Sequence, residues 1–250
     1  MTIDFMLAHR TLRTLRKGVL TVAAYANFFP VCYHDESGAL AGLDVEVINA
    51  FAAAAGLRVH YIEHAKFNGI WDAPDRGTAD VSIGGIANSK GRGTAKTEWT
   101  IPYFYVNRSV LFNKSDAIHS FPHDVHGVVV GTVGSTGWVD ANLRLKRAGK
   151  IHLLVSGRTD ADDVRALLSH KIQGVMRGDF VSRAIVHAHP HELGLTSWEI
   201  APELVPSDGE IFAYPARSGS GVAVCMSAFL AELIVNGGLH QLMERFKLVE

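Results

Sequence analysis

Cysteine is scarce. The 250 residues hold only Cys32 and Cys225, far apart in the chain. Two such residues do not make a disulfide framework, and a pair of buried thiols is the favoured reading over a single bridge. No apolar run reaches the roughly 18 residues that a membrane-spanning helix needs, so no membrane insertion is expected. Charge of one sign is also missing. The net charge is -1 and the pI about 6.9, so no basic surplus points to nucleic acid or to an anionic membrane surface. Walker loop, nucleophile elbow and His-Glu-x-x-His patterns are absent from the sequence. The segment 1–18 carries scattered charges and no continuous apolar core, so it does not read as a secretory leader. Two placements follow from that: extracytoplasmic after removal of a leader, or cytoplasmic with Met1 as the natural start.

What is present is ample apolar material, 48% of the chain, and a regular alternation of strand and helix signals. The length allows two modest lobes, each with its own core. A short basic helix is expected over Leu12–Arg16, then a strand over Val19–Ala24 and a loop carrying Phe28 and Pro30. Asp35 to Gly38 reads as a turn. The alanine-rich stretch Leu43–Leu57 reads as a helix closed by Gly56, and Arg58–Ile62 as a second strand. A helix over Ile70–Arg76, stopped by Gly77, and a buried strand over Ala79–Ile83 follow. The order β-α-β-α-β predicts a parallel sheet with helices on both faces, and ligands in such sheets sit at the carboxyl ends of the strands.

The pattern then restarts. Strands are expected at Ser109–Asn113, Val128–Val133, around Val155 and at Gly174–Met176, with helices over Ala141–Ala148 and Asp160–Leu168. Trp198–Ile200 and Ile211–Tyr214 read as returning strands, and Val222–Phe246 as a helix pair broken at Gly237-Gly238.

The binding chemistry concentrates between Phe67 and Tyr103. Gly84-Gly85 follows the predicted strand directly, and two glycines let backbone N–H groups approach a ligand without Cβ interference. Arg92 lies a few residues on, and a guanidinium offers a planar fork of donors that matches a carboxylate. The bland alternatives are a plain turn and a solvated arginine. Phe28 and Gly84-Gly85 fall at adjacent predicted strand ends, so they should meet. In the second half, Gly134-Ser135-Thr136 precedes a helix and suits either an anion or simple capping, and Asp179 lies just past a strand. His187, His189 and His191 form a His-Ala-His-Pro-His run. Pro190 breaks a regular strand and no usual zinc spacing accompanies it, so a solvated loop is preferred to a metal site.

In order and spacing these motifs resemble the extracellular solute-binding proteins, family 3, the polar amino-acid binders of ABC importers. The resemblance rests on Gly18-Val19-Leu20-Thr21-Val22, Phe28 with Pro30, Asp35 with Gly38, and Gly42-Leu43-Asp44-Val45-Glu46. It continues through Phe67 and Gly69, Gly77 and Asp80, Gly84-Gly85-Ile86, Arg92, Pro102-Tyr103, Gly134-Ser135-Thr136, and the helical ending from Pro215 to Phe246. It implies an α/β fold of the type II periplasmic-binding-protein class. Each of two lobes would be a mostly parallel sheet flanked by helices, with the ligand cleft between them and capture by lobe closure. Residues 1–108 plus 211–250 would form lobe 1, and 109–210 lobe 2. It implies ligand contacts from Tyr25, Phe28, Phe67, Gly84, Gly85, Ile86, Ala87, Arg92, Ser135, Thr136 and Asp179. Arg92 would grip the α-carboxylate, helped by Thr136 and Ser135. Phe28 and Phe67 would sandwich the side chain, and an acid in lobe 2 would hold the ammonium.

Three places depart from the family pattern. Ala87 stands where a hydroxyl residue is usual. The lobe 2 acid aligns without gaps with Gly178, one residue before Asp179. Tyr25 stands where some binders of cationic side chains carry an acid. A buried cation needs a paired charge, so lysine and arginine are disfavoured as ligands. The expected function is binding of a small carboxylate-bearing solute, a neutral or polar amino acid, by a monomer serving an ABC permease. No cofactor, metal or catalytic residue is implied. A cyclohexadienyl or arogenate dehydratase-like enzyme on the same fold, with Asp179 or Glu98 as acid, is the alternative from another class. Its Asn-Pro-Gly-Gly-Thr-Asn-Glu loop is absent at Gly131–Gly137. A ligand-sensing domain without a transporter is a third reading.

Overall fold

The computed structural model describes residues 3–89, 91–116, 129–133, 143–156, 160–197 and 210–249. The chain divides into two compact units, Met1–Tyr105 with Glu210–Glu250, and Val106–Gly209. The first boundary falls before Val106 because the residues after Tyr105 belong to the second unit's packing. Val106 Cγ1 lies 2.4 Å from where a Cβ on Gly178 would be, and the Asn107 carbonyl accepts from the Asp179 amide at 2.8 Å.

The first unit is built on β1 (Val19–Ala24), whose side chains are buried at five of six positions. A strand buried on both faces belongs at the centre of a sheet. β1 pairs in parallel with β5 (Arg58–Glu63), Val19 opposite Arg58, and with β6 (Val81–Ile83), Val22 opposite Val81. β15 (Pro215–Arg217) continues the sheet antiparallel to β6, and β7 (Thr97–Trp99) pairs antiparallel with β15. The sheet is therefore mixed, in the order β5-β1-β6-β15-β7. Its outer strands need no crossover helix, which frees them to run antiparallel. A separate hairpin sheet, β2 (Asn27–Phe28), β3 (Cys32–His34) and β4 (Leu40–Ala41), follows β1. Asp35 turns it, its Oδ1 accepting from the Ser37 amide and hydroxyl and from the Ala39 amide.

Helix α2 (Leu43–Ala54) buries Val47, Ile48 and Phe51. Phe51 meets Phe5 of α1 (Ile3–His9) and Phe229 of α6 (Val222–Val235) in an aromatic cluster. α7 (Gly238–Arg245) follows α6 after the break at Gly237.

Two expected helices differ. Leu12–Arg16 is not helical. The Arg13 amide donates to the Ser220 carbonyl at 2.7 Å, the Leu15 amide to Asp80 Oδ1 at 2.8 Å, and Arg16 bridges Val19. Amides committed to distant acceptors are lost to a local helix. Ile70–Arg76 forms only the 3₁₀ turn Ile70–Asp72, followed by turns. Pro74 has no amide to donate back to Ile70, so an α-helix cannot run through it.

The second unit carries a five-stranded sheet in the order β11-β10-β12-β9-β13. β10 (Val129–Val133) runs parallel to β11 (His152–Ser156) and to β12 (Gly174–Gly178). β9 (Arg108–Asn113) is antiparallel to β12 and to β13 (Leu193–Ser197), so this sheet too is mixed. Helical residues 143–147 (α3), α4 (Asp160–Leu168) and α5 (Asp179–Ala188) complete the described part. Leu111, Leu167, Ile172, Val175 and Leu193 form the core. His187 lies in the last turn of α5, so the histidine run begins in a helix and not in a loop. Trp198–Ile200 lie outside the described residues.

Candidate ligand-binding site

In the first unit β1 ends opposite β6, Ala24 pairing with Ile83, so Tyr25 and Gly84 leave the sheet side by side. The Tyr25 amide donates to the Ile83 carbonyl at 3.2 Å. Phe28 then folds back over Gly85. Its Cε1 lies 2.3 Å from where a Cβ on Gly85 would be, and Gly85 has a φ of 68°. Only glycine fits both the conformation and the approach. Phe28 also packs on Phe212, ring centroids 6.4 Å apart, in β14 (Glu210–Phe212). The sequence-based meeting of Phe28 with the glycine pair is what the structure contains.

Beside this corner, Ala23, Ile70, Ala73, Ala79 and Ile86 form a buried cluster, with Tyr25, Phe67 and Trp71 packed on it half-exposed. Tyr25 and Phe67 lie 5.4 Å apart and Phe67 and Trp71 5.7 Å apart. The Arg92 guanidinium sits over this row, its Cζ 5.2 Å from the Phe67 centroid and 4.9 Å from that of Trp71. A planar cation over ring faces keeps its charge while losing water. Burial lowers the Arg92 pKa and the charge of Glu210 opposes that. The guanidinium stays protonated at any physiological pH. Its Nη1 donates to the Ala87 carbonyl at 3.3 Å, and among the described residues no carboxylate lies within ion-pair distance. A half-buried cation with spare in-plane donors is suited to an external anion.

Several expected roles change. The Gly84 and Gly85 amides are not bare. Both donate to Asp44 Oδ2, at 2.8 and 3.0 Å. Asp44 is fully buried, and its Oδ1 accepts from the Tyr103 hydroxyl at 2.6 Å and the Tyr214 hydroxyl at 3.0 Å. The two tyrosine rings stack at 4.3 Å and 4°. The glycine corner is thus tied to a buried carboxylate. Burial raises the Asp44 pKa, and the hydrogen bonds from Tyr103, Gly85, Gly84 and Tyr214 pull it back. Ile86 and Ala87 are 2% and 1% exposed. The Ile86 side chain belongs to the core, and Ala87 bridges Phe212 while its carbonyl orients Arg92.

In the second unit, Ser135 and Thr136 lie outside the described residues. Asp179 opens α5, and its oxygens are taken. Oδ1 accepts from the Asn107 and Phe180 amides, and Oδ2 from Asn107 Nδ2 and Arg183 Nη2. Asp179 is therefore an ion-paired carboxylate in the first turn of α5, not a bare one awaiting an ammonium. Gly178 cannot take over, since a Cβ there would lie 2.4 Å from Val106 Cγ1.

Three contributors escaped the sequence reading: Trp71, Phe212 and Asp44. Trp71 is four residues after Phe67, a spacing that places two rings together on a turn of helix-like chain. Asp44 shares the helix face of Val47, Ile48 and Phe51, where an acid among apolar residues signals a buried partner. Among the described residues no three His, Cys, Asp or Glu side chains gather as a metal site.

The model of the bacterial extracellular solute-binding proteins, family 3, matches residues 20–248. The chain belongs to this family. A probable amino-acid ABC transporter-binding protein of Haemophilus influenzae is 32% identical over 150 residues, 58% of this chain and 54% of that protein. A probable histidine-binding protein of Neisseria gonorrhoeae is 28% identical over 120 residues, 46% of this chain and 44% of that protein. The chain thus matches about half the length of these curated relatives. Among solved structures, an ancestral arginine-binding protein bound to arginine superposes with a TM-score of 0.77 at 22% identity, covering 92% of this chain and 98% of that one. At that identity the likeness is one of fold, and the fold is that of the type II periplasmic binding proteins.

Proposed function

We propose that this family 3 protein captures a small carboxylate-bearing solute, a neutral or polar amino acid, outside the cytoplasm and delivers it to an ABC permease without chemical change. The observation that carries this reading is Arg92. The guanidinium is half-buried over Phe67 and Trp71 and has no ion-pair partner among the described residues. Arg92 takes the carboxylate. Tyr25, Phe28 and Phe67 supply ring faces and edges for the rest of the solute. Ser135 and Thr136 remain further hydroxyl donors on the strength of the family motif. Asp179 is given no ligand contact, because four donors already occupy it. An α-ammonium then relies on uncharged acceptors, which extends the reading to carboxylates that lack one. Tyr25 in place of an acid disfavours lysine and arginine.

A thermal-shift screen over the twenty amino acids and a set of small carboxylates, prephenate included, tests this. A ligand at about 100 times its Kd stabilises by about 2.7 kcal/mol. For a chain of this size that is a rise of roughly 5–10 °C in Tm. The expected result is such a rise with one or a few neutral or polar amino acids and no turnover. The largest rise with arginine or lysine overturns the solute class. Product formed from prephenate overturns binding without chemistry. No shift with any of them overturns carboxylate capture.

A further inference from the structure

Arg92 lies in an exposed loop, yet its guanidinium is held over two rings. Its one hydrogen bond among the described residues, 3.3 Å to the Ala87 carbonyl, is a long one for fixing so flexible a side chain. The backbone supplies the rest. The Arg92 amide donates to the Ser89 carbonyl at 3.1 Å, and the Thr97 amide to the Thr94 carbonyl at 3.0 Å. Gly93, next to Arg92, closes tightly on Thr97. A Cβ there would lie 2.6 Å from Thr97 Oγ1, and its φ is 75°.

The far side of this loop is fastened to one residue. Asp75 Oδ2 accepts from Thr94 Oγ1 at 2.5 Å and from Thr97 Oγ1 at 2.6 Å. The Thr97 hydroxyl oxygen in turn accepts from the Thr94 amide at 2.8 Å, and the Thr94 hydroxyl oxygen from the Lys96 amide at 3.0 Å. Asp75 is four residues after Trp71. The carboxylate therefore ties the segment that carries the ring to the loop that carries the guanidinium. Asp75 Oδ1 is buried with no donor among the described residues. A carboxylate left half-satisfied is a poor choice for stability alone, and such exceptions cluster where geometry serves function.

We infer that Asp75, through Thr94 and Thr97, is a positioning residue for Arg92. It fixes the guanidinium over Trp71 and Phe67 so that its outer donors face the solute. The inference rests on the reading of Arg92 as the carboxylate grip. It extends that reading to three residues that touch no ligand.

The test uses the whole ¹⁵N-labelled protein without ligand. The Arg92 Nε–Hε signal, assigned by its loss in Arg92→Lys, carries the ring-current shift of the two aromatics. In Asp75→Ala this shift is expected to collapse toward that of solvated arginines. The double variant Thr94→Val/Thr97→Val removes both donors, leaves the acid in place, and should do the same. Asp75→Asn keeps an oxygen for both hydroxyls and should retain the wild-type shift. An Arg92 signal unmoved in both disrupting variants overturns the inference. So does a shift lost in Asp75→Asn as fully as in Asp75→Ala. Because no solute is added, failure of the amino-acid screen and failure of the clasp are read separately.

Discussion

Replacing Asp44 by alanine should be among the most damaging single changes in the first unit. The carboxylate accepts four hydrogen bonds while fully buried. Tyr103 and Tyr214 are stacked at 4.3 Å, and their hydroxyls can turn toward each other once the acid is gone. The Gly84 and Gly85 amides have no such freedom, because Phe28 seals the outer side of that corner. Two orphaned buried amides at about 1–3 kcal/mol each set the scale, so Asp44→Ala should cost about 3–5 kcal/mol. Asp44→Asn keeps one oxygen for the glycine amides and offers its own amide to the tyrosine oxygens, so it should cost about 1–2 kcal/mol. Urea unfolding followed by circular dichroism gives both values. An alanine variant within about 1 kcal/mol of wild type refutes the reasoning, since orphaned amides could not be so mild. The pH dependence adds a check. Burial raises the folded carboxyl above its usual 3.8. Between 3.8 and that raised value the folded state binds more protons than the unfolded one, so stability falls as pH rises. Acidification from neutrality toward pH 4 should therefore improve wild type relative to Asp44→Asn, which has nothing to titrate there. Movement in the opposite direction would mean a carboxyl stabilised in its charged form.

Three further outcomes are expected. Gly85→Ala forces a positive φ on a residue with a Cβ and drives it into Phe28 Cε1, so it should cost at least about 2 kcal/mol in the same unfolding assay and weaken solute binding. Asp179→Ala removes a first-turn acid paired with Arg183 and should lower stability by about 1 kcal/mol, with solute affinity by calorimetry unchanged; a large affinity loss would restore it to the site. Burial pushes the Cys225 thiol up to about 11 and Cys32 further still, and both are free. Native protein at pH 8 should therefore resist a thiol-specific disulfide reagent until unfolded, and rapid labelling of either cysteine would contradict the burial.

Part of the fold was legible because its signals are local: the parallel strands β1, β5, β6, β10, β11 and β12, with β9, and the helices α2, α4, α6 and α7. The helices α1 and α5 and the strands β2, β3, β4, β7, β13 and β15 went unread. β1 and β6 are short, largely apolar runs, and α2 is followed by Ala55-Gly56-Leu57, where Gly56 can turn the chain. The meeting of Phe28 with Gly85 was legible too, since parallel neighbours deliver their carboxyl ends to one edge. What the sequence concealed depends on partners far away in the chain. Leu15 gives its amide to Asp80, 65 residues on, and so leaves the helix that its neighbours favour. The amides of Gly84 and Gly85 look available until Asp44, 40 residues earlier, is brought beneath them. Asp179 looks like a free acid at a strand end until Asn107, 72 residues earlier, donates to it twice. Local propensity cannot report such pairings, because the polar group's partner is chosen by the fold and not by its neighbours. The role of Arg92 sits between the two cases. Its place after the glycine pair marked it, whereas the Trp71 face beneath it became visible only in three dimensions.

The measurement closest to the central claim is a calorimetric titration of wild type and Arg92→Ala with the amino acid that gives the largest thermal shift. A carboxylate left without its guanidinium loses at least about 2 kcal/mol, so the variant should bind about 30-fold more weakly or worse. Its melting temperature without ligand should stay close to that of wild type, since no ion pair within the described residues is broken. Equal affinities in the two proteins would show that the solute is held elsewhere and would contradict the site described above.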